Sequence, residues 1–132
     1  MSPRKILVAC VLAALLALPG CAAARPGPPR PARINHIVFF KLKEPAEAQE
    51  LLRDCDRLLA TVPGIVAGYA GTHLEPARPG SDSDYDVGFY AGFMTEEAYR
   101  AYEAHPAHAE AVAKWGPRLQ WLRVHDIFDE TP

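Results

Sequence analysis

The chain lacks any excess of basic charge: 14 Lys and Arg stand against 16 Asp and Glu, a net of −2. A protein that grips nucleic acid through its phosphates needs a basic face, so that class of partner is excluded. No apolar run is long enough to cross a bilayer as a helix. Residues 6–18, "ILVACVLAALLAL", make a run of 13, against about 20 for a span. Cysteine is scarce, at three residues: Cys10, Cys21 and Cys55. Cys10 lies inside the apolar run and Cys21 just beyond it. Cys55 alone is left to the domain that follows, so no intramolecular disulfide framework can form. Cys55 sits among leucines at helical spacing and reads as a small core residue rather than a nucleophile. A metal site is missing as well. His105 and His108 have ligand spacing, but Pro106 aims the two rings differently and no Cys or carboxylate completes the set.

What is present begins with an export signal. Arg4 and Lys5 precede the apolar run, the layout of a secretory signal peptide over residues 1–20. The run ends in "LPGC", Leu18 to Cys21. This resembles the lipobox of bacterial lipoproteins, with an aliphatic residue at −3 and a small one at −1. The resemblance implies lipidation at Cys21, export across the bacterial inner membrane and a lipid anchor in the cell envelope. The alternative is an ordinary signal peptide cut near "AAA", residues 22–24. Removal of Arg4 and Lys5 leaves 12 basic against 16 acidic residues, a net of −4. Residues 21–33, "CAAARPGPPRPAR", hold four prolines and three arginines and cannot build a core. They read as an extended tether that, at about 3.1 Å per residue, reaches on the order of 40 Å. A triply acylated cysteine would anchor it firmly, since two chains suffice. Arg25, Arg30 and Arg33 either sit near anionic head groups or are plain linker charges.

The domain is expected over residues 34–129, with a tail at 130–132. "INHIVFFKL" (34–42) is β-branched and aromatic, a strand with Ile34, His36, Val38, Phe40 and Leu42 on one face. In residues 44–64, Leu51, Leu52, Cys55, Leu58, Leu59 and Val62 form an amphipathic helical stripe, stopped by Pro63-Gly64. "IVAGYAGTHL" (65–74) and "YDVGFYAGF" (85–93) are strands around a polar loop. Residues 95–117 are helical, with Thr95 as N-cap and Glu96 and Glu97 favouring the positive end of the dipole. "LQWLRVHDIF" (119–128) is the last strand. The order β-α-β-β-α-β is the ferredoxin-like, α+β plan: a four-stranded antiparallel sheet with helices on one face. The bare face would carry Ile37, Phe39, Ile65, Tyr69, Tyr90 and Trp121, and a homodimer packed sheet to sheet would cover it.

The segment "YRAYEAHPAH" (99–108) carries the densest functional signal. Pro106 fits the first turn of a new helix but not a helix interior, so His105 becomes a junction residue. From His108 the apolar stripe continues through Val112 and Trp115. An inward-facing histidine at a helix start has its pKa lowered by burial and by the dipole, and a neutral imidazole serves as a general base. Tyr102 offers a phenol as donor or general acid, and His36 can converge on the same space. A purely structural reading competes: a buried His or Tyr often only satisfies a backbone group. His73 and His125 read as surface or interface residues.

"HIVFFKLKE", "VPGI", "YDVGFYAGF", "YEAHPAH" and "VHDIF", in this order, resemble the stress-responsive dimeric α+β barrel (Dabb) family across residues 34–129. The resemblance implies a ferredoxin-like subunit in a homodimeric barrel. It also implies a pocket between sheet and helices. In plant polyketide cyclases of the family, a tyrosine and a histidine matching Tyr102 and His108 act in base-assisted cyclisation without a cofactor. A first-strand histidine there matches His36. Val87 stands where those cyclases carry a third-strand histidine, and Trp115 and Trp121 are offset from their tryptophan. The expected ligand-lining set is His36, Val38, Phe40, His105, Val112, Leu122 and Val124. The expected function is an envelope protein binding a small apolar or aromatic molecule, with no cofactor. The alternative is a cofactor-independent cyclase, isomerase or monooxygenase-like enzyme using the His/Tyr pair.

Overall fold

In the computed structural model, which describes residues 27–131, the elements follow the expected order. Strand β1 (Ile34–Leu42) leads through a 3-10 turn at Pro45–Glu47 into helix α1 (Ala48–Thr61). Strands β2 (Ile65–Gly71) and β3 (Val87–Phe93) flank a long loop. Helices α2 (Glu96–Glu103) and α3 (Pro106–Trp115) then lead through a 3-10 turn at Gly116–Arg118 to β4 (Leu119–Phe128). The sheet order is β2-β3-β1-β4, every neighbour antiparallel. This is the ferredoxin-like α+β fold. The export signal and most of the tether, residues 1–26, lie outside the described residues.

The core sits between the sheet and the helices. Val87, Phe89, Ala91 and Phe93 of β3 alternate inward and meet Leu51, Cys55 and Leu58 from α1. Phe93, Leu42, Leu51 and Val87 are the largest side chains sealed completely. Each such burial contributes about 1.5–3 kcal/mol. Helix α1 ends where the sequence stops it: the Val62 N–H bonds back to the Leu58 carbonyl, and Gly64 takes φ +88°, which L side chains rarely adopt.

On the other face, Ile37 lies opposite Tyr90, and Tyr90 opposite Tyr69. Trp121 is there too, paired with Lys41. Ile65 is not. A register shift between Ile65 and Ala67 places Ile65 opposite Phe93 and against the core, and leaves Val66 at 53% exposure. One inserted residue reverses which side chain faces in.

The residues just before β1 belong to the domain's packing. The Arg33 N–H donates to the Phe93 carbonyl, and the Asp129 N–H to the Arg33 carbonyl. Arg30 pairs with the Asp129 carboxylate. Ala32 is buried against Gly92, where an added Cβ would lie 2.6 Å from the Ala32 Cβ.

Candidate functional site

The helix layer does not cover the sheet evenly. Helix α1 packs on β2 and β3, and α3 packs on α1. The β1–β4 half of that face is therefore left under α3 with space between. The result is a cavity of about 350 Å³, at the lower end of the range for small-molecule sites. Its walls are mostly apolar: Val38, Phe40, Leu58, Phe89, Leu122 and Val124 among them. Leu122 and Val124 remain 49% and 46% exposed, because no helix among the described residues crosses the edge strand there.

One end of the cavity is polar. The antiparallel register sets His36 of β1 directly opposite Asp126 of β4. The His36 Nδ1 lies 2.7 Å from Asp126 Oδ1, and the Tyr99 hydroxyl donates to Asp126 Oδ2 at 3.1 Å. His36 is buried to 7% exposure, with its ring 5.5 Å from that of Tyr102. Burial, and then the hydrogen bond to Asp126, raises the Tyr99 pKa well above the usual phenol value. Tyr99 is thus held as a neutral donor.

Beside this triad stand Tyr102 and His108, with ring centroids 4.6 Å apart. Thr95 starts α2 by accepting from the Ala98 N–H, which fixes Tyr102 on the inward face at 2% exposure. His108 Nδ1 lies 3.1 Å from the Glu103 carbonyl oxygen. A carbonyl can only accept, so Nδ1 carries the proton and Nε2 keeps the free lone pair. Burial lowers the His108 pKa, and nearby His36 lowers it further, while the Glu103 carbonyl pulls the other way. Burial raises the Tyr102 pKa. The pair is therefore a neutral imidazole base next to a phenol that donates a hydrogen bond more readily than it gives up its proton. Among the described residues, the Tyr102 hydroxyl has no hydrogen-bond partner, unlike those of Tyr90 and Tyr99.

Of the residues expected from the sequence, His36, Val38, Phe40, Tyr102, His108, Val112, Leu122 and Val124 all line this cavity. His105 does not. Its Nδ1 accepts from the Ala107 N–H at 3.1 Å and caps α3, with Pro106 in the first turn. Asp126 and Tyr99 are outside the expected site, although helical spacing alone places Tyr99 with Tyr102 on the inward face. The alternation of "RVHDIF" placed Asp126 on the face of Val124, a signal that pairing β4 with β1 would have completed. Cys55 lines the cavity as a thiol: burial pushes its pKa up to about 12. At the far end, Asp54 accepts from Lys114 Nζ at 2.6 Å and from the Trp115 indole N–H at 3.0 Å. Burial works to raise the Asp54 pKa, and these two donors outweigh it and hold the carboxyl below its usual range.

Residues 34–129 match the stress-responsive A/B barrel domain, Dabb. No curated protein sequence matches the chain. Among solved structures, a Dabb family protein with a ferredoxin-like fold from Mesorhizobium loti is 26% identical. It superposes with a TM-score of 0.62 over 74% of this chain and 97% of its own. A dimeric ferredoxin-like protein of unknown function from Thermobifida fusca is also 26% identical, with a TM-score of 0.61, over 73% and 90%. A hydroxynitrile lyase from Passiflora edulis shares the fold at 20% identity, with a TM-score of 0.65, over 78% and 99%.

Proposed function

The chain belongs to the stress-responsive A/B barrel (Dabb) family, and from that premise we propose that it binds a small apolar or aromatic molecule between its sheet and helices. The observation that carries this reading is the cavity itself. It is apolar along its walls and ends in a phenol and an imidazole with hydrogen-bonding capacity to offer. Such a combination buries a ligand's body and orients its one polar group.

The protein acts in this reading as a homodimer, tethered by a lipid on Cys21 to the bacterial envelope, in a stress response. Dimeric relatives of the same fold support the assembly. The uncovered face with Ile37, Phe39 and Tyr69 supplies a surface for it. Sedimentation of the purified protein as a monomer at micromolar concentration would contradict the dimer. A mass shift at the mature N-terminus that vanishes in Cys21→Ala is the expected mark of the lipid.

A second reading is favoured by one specific arrangement, the Nδ1–H tautomer of His108 beside Tyr102. In that reading Nε2 removes a proton from a carbon or hydroxyl next to a carbonyl. The Tyr102 hydroxyl meanwhile stabilises the developing oxyanion by a hydrogen bond. No cofactor enters this scheme. The binding reading is tested by titrating a panel of small aromatic and aliphatic compounds into wild type, His108→Ala and Tyr102→Phe by calorimetry. Both variants are expected to bind at least fivefold more weakly. Unchanged binding with only a lowered melting temperature makes the two residues structural.

A further inference from the structure

The charges around the cavity are of one sign. The ionisable side chains lining it, besides the histidines, tyrosines and Cys55, are Asp54, Glu103 and Asp126. No Lys or Arg lines it among the described residues. The cations that neighbour its carboxylates are engaged in ion pairs: Arg100 lies 3.6 Å from Glu103. Lys114 bridges Asp54 and Glu50 at 2.6 and 2.7 Å, and Arg118 lies 3.4 Å from Glu47. The polar end also offers no cluster of donors for an anion. The Tyr99 hydroxyl is committed to Asp126, and His108 Nδ1 to the Glu103 carbonyl. That leaves one donor, the Tyr102 hydroxyl, and two ring nitrogens, His108 Nε2 and the His36 Nε2 whose Nδ1 faces Asp126; the Tyr102 ring lies 4.6 Å from that of His108 and 5.5 Å from that of His36.

An anion entering this space would lose its water, find no cation and approach carboxylates. A neutral hydroxyl or carbonyl group can instead accept from Tyr102, and a hydroxyl can also donate to His108. Resting on the binding reading above, we propose that the cavity selects neutral amphiphiles, namely alcohols, phenols, aldehydes or ketones with an alkyl or aryl body, and rejects carboxylates and phosphates of the same size. The polar head of such a ligand lies between Tyr102 and His108. Its apolar body runs along Val38, Phe40, Leu122 and Val124. The selection is by exclusion as much as by attraction.

The test uses matched probes on the purified wild-type protein at pH 7.5: 1-octanol and octanoate, followed by calorimetry. Octanol is expected to bind and octanoate to bind at least tenfold more weakly. Leu122→Arg, which adds a cation at the half-exposed rim, is expected to narrow that gap by raising octanoate affinity severalfold. Octanoate binding as tightly as octanol in the wild type overturns the proposal while leaving a ligand-binding cavity. An octanoate affinity unmoved by Leu122→Arg, in a variant that melts like the wild type, also counts against it. Failure of both probes, together with failure of the wider compound panel, overturns the binding reading itself.

Discussion

At the polar end of the cavity, His36 and Tyr99 both answer to Asp126, through contacts of 2.7 and 3.1 Å. One ring away, Tyr102 and His108 touch each other but leave a hydroxyl and a ring nitrogen uncommitted. The first cluster is tied together through Asp126, with His36 Nε2 left facing the cavity, and the second makes no such bond between its own members. A cluster bonded internally around a buried histidine holds structure, because that imidazole would be costly to leave unpaired. One without such bonds is disposed to meet something from outside. Two groups of similar residue types, on the same few elements, therefore divide the labour of fixing the cavity and of addressing its contents.

The contrast is broken most strongly at Asp126. Asp126→Ala strands the buried His36 and the Tyr99 hydroxyl. It is expected to cost about 1–2 kcal/mol, the lower part of the range for unpaired buried groups, because Asp126 is itself half exposed. Calorimetry should show the melting temperature falling by roughly 4 °C or more. A shift below a degree would show that the bonds of the triad do not hold structure. His105→Ala removes the cap on α3 and is expected to cost about 0.5–1 kcal/mol. Its ligand affinity should be unchanged, which separates it from His108 three residues on.

Tyr102→Phe sharpens the contrast from the side of the unbonded pair. Stability should move by less than about 0.5 kcal/mol, since no bond within the protein is lost. Octanol affinity should nevertheless fall roughly fivefold, or about 1 kcal/mol. A large loss of stability without loss of binding would assign Tyr102 to the bonded cluster.

The smallest effect is the titration of His108. Its pKa in the folded protein lies below the ordinary value of 6.5, chiefly through burial. The unfolded chain then binds the proton more readily than the folded one between the two values. The stability linked to His108 is full above 6.5 and is lost as the pH falls through the depressed value. Proton NMR of the His108 ring should give a midpoint below 6.5. His108→Gln should flatten that part of the stability–pH curve. A normal or raised midpoint would remove the poised base from the second reading.

The order of elements was legible because each has a strong local signature: alternation in "INHIVFFKL", a leucine stripe in α1, and Pro106 dividing the second helical region. His36, Tyr102 and His108 were legible as a convergent set because strand and helix periodicity each point them inward. What escaped depended on pairing. The place of Asp126 opposite His36 follows from the β1–β4 register, and no local pattern encodes it. The bulge that turns Ile65 inward is likewise a matter of two strands, not one. His105 was legible as a junction residue, but its ring capping the new helix required the geometry of the turn.

Strand β1 has a ladder on each side, with β3 and with β4, and the chain enters it through Ala32 and Arg33. Any pull on the segment upstream of residue 27 therefore arrives at the centre of the sheet and not at an edge. There it meets the bonds from Arg33 to Phe93 and Asp129 before it reaches the ladders. A force along the strand axis would load both ladders together. A tether on the N-terminal side would therefore act on a strand that has a partner on both sides.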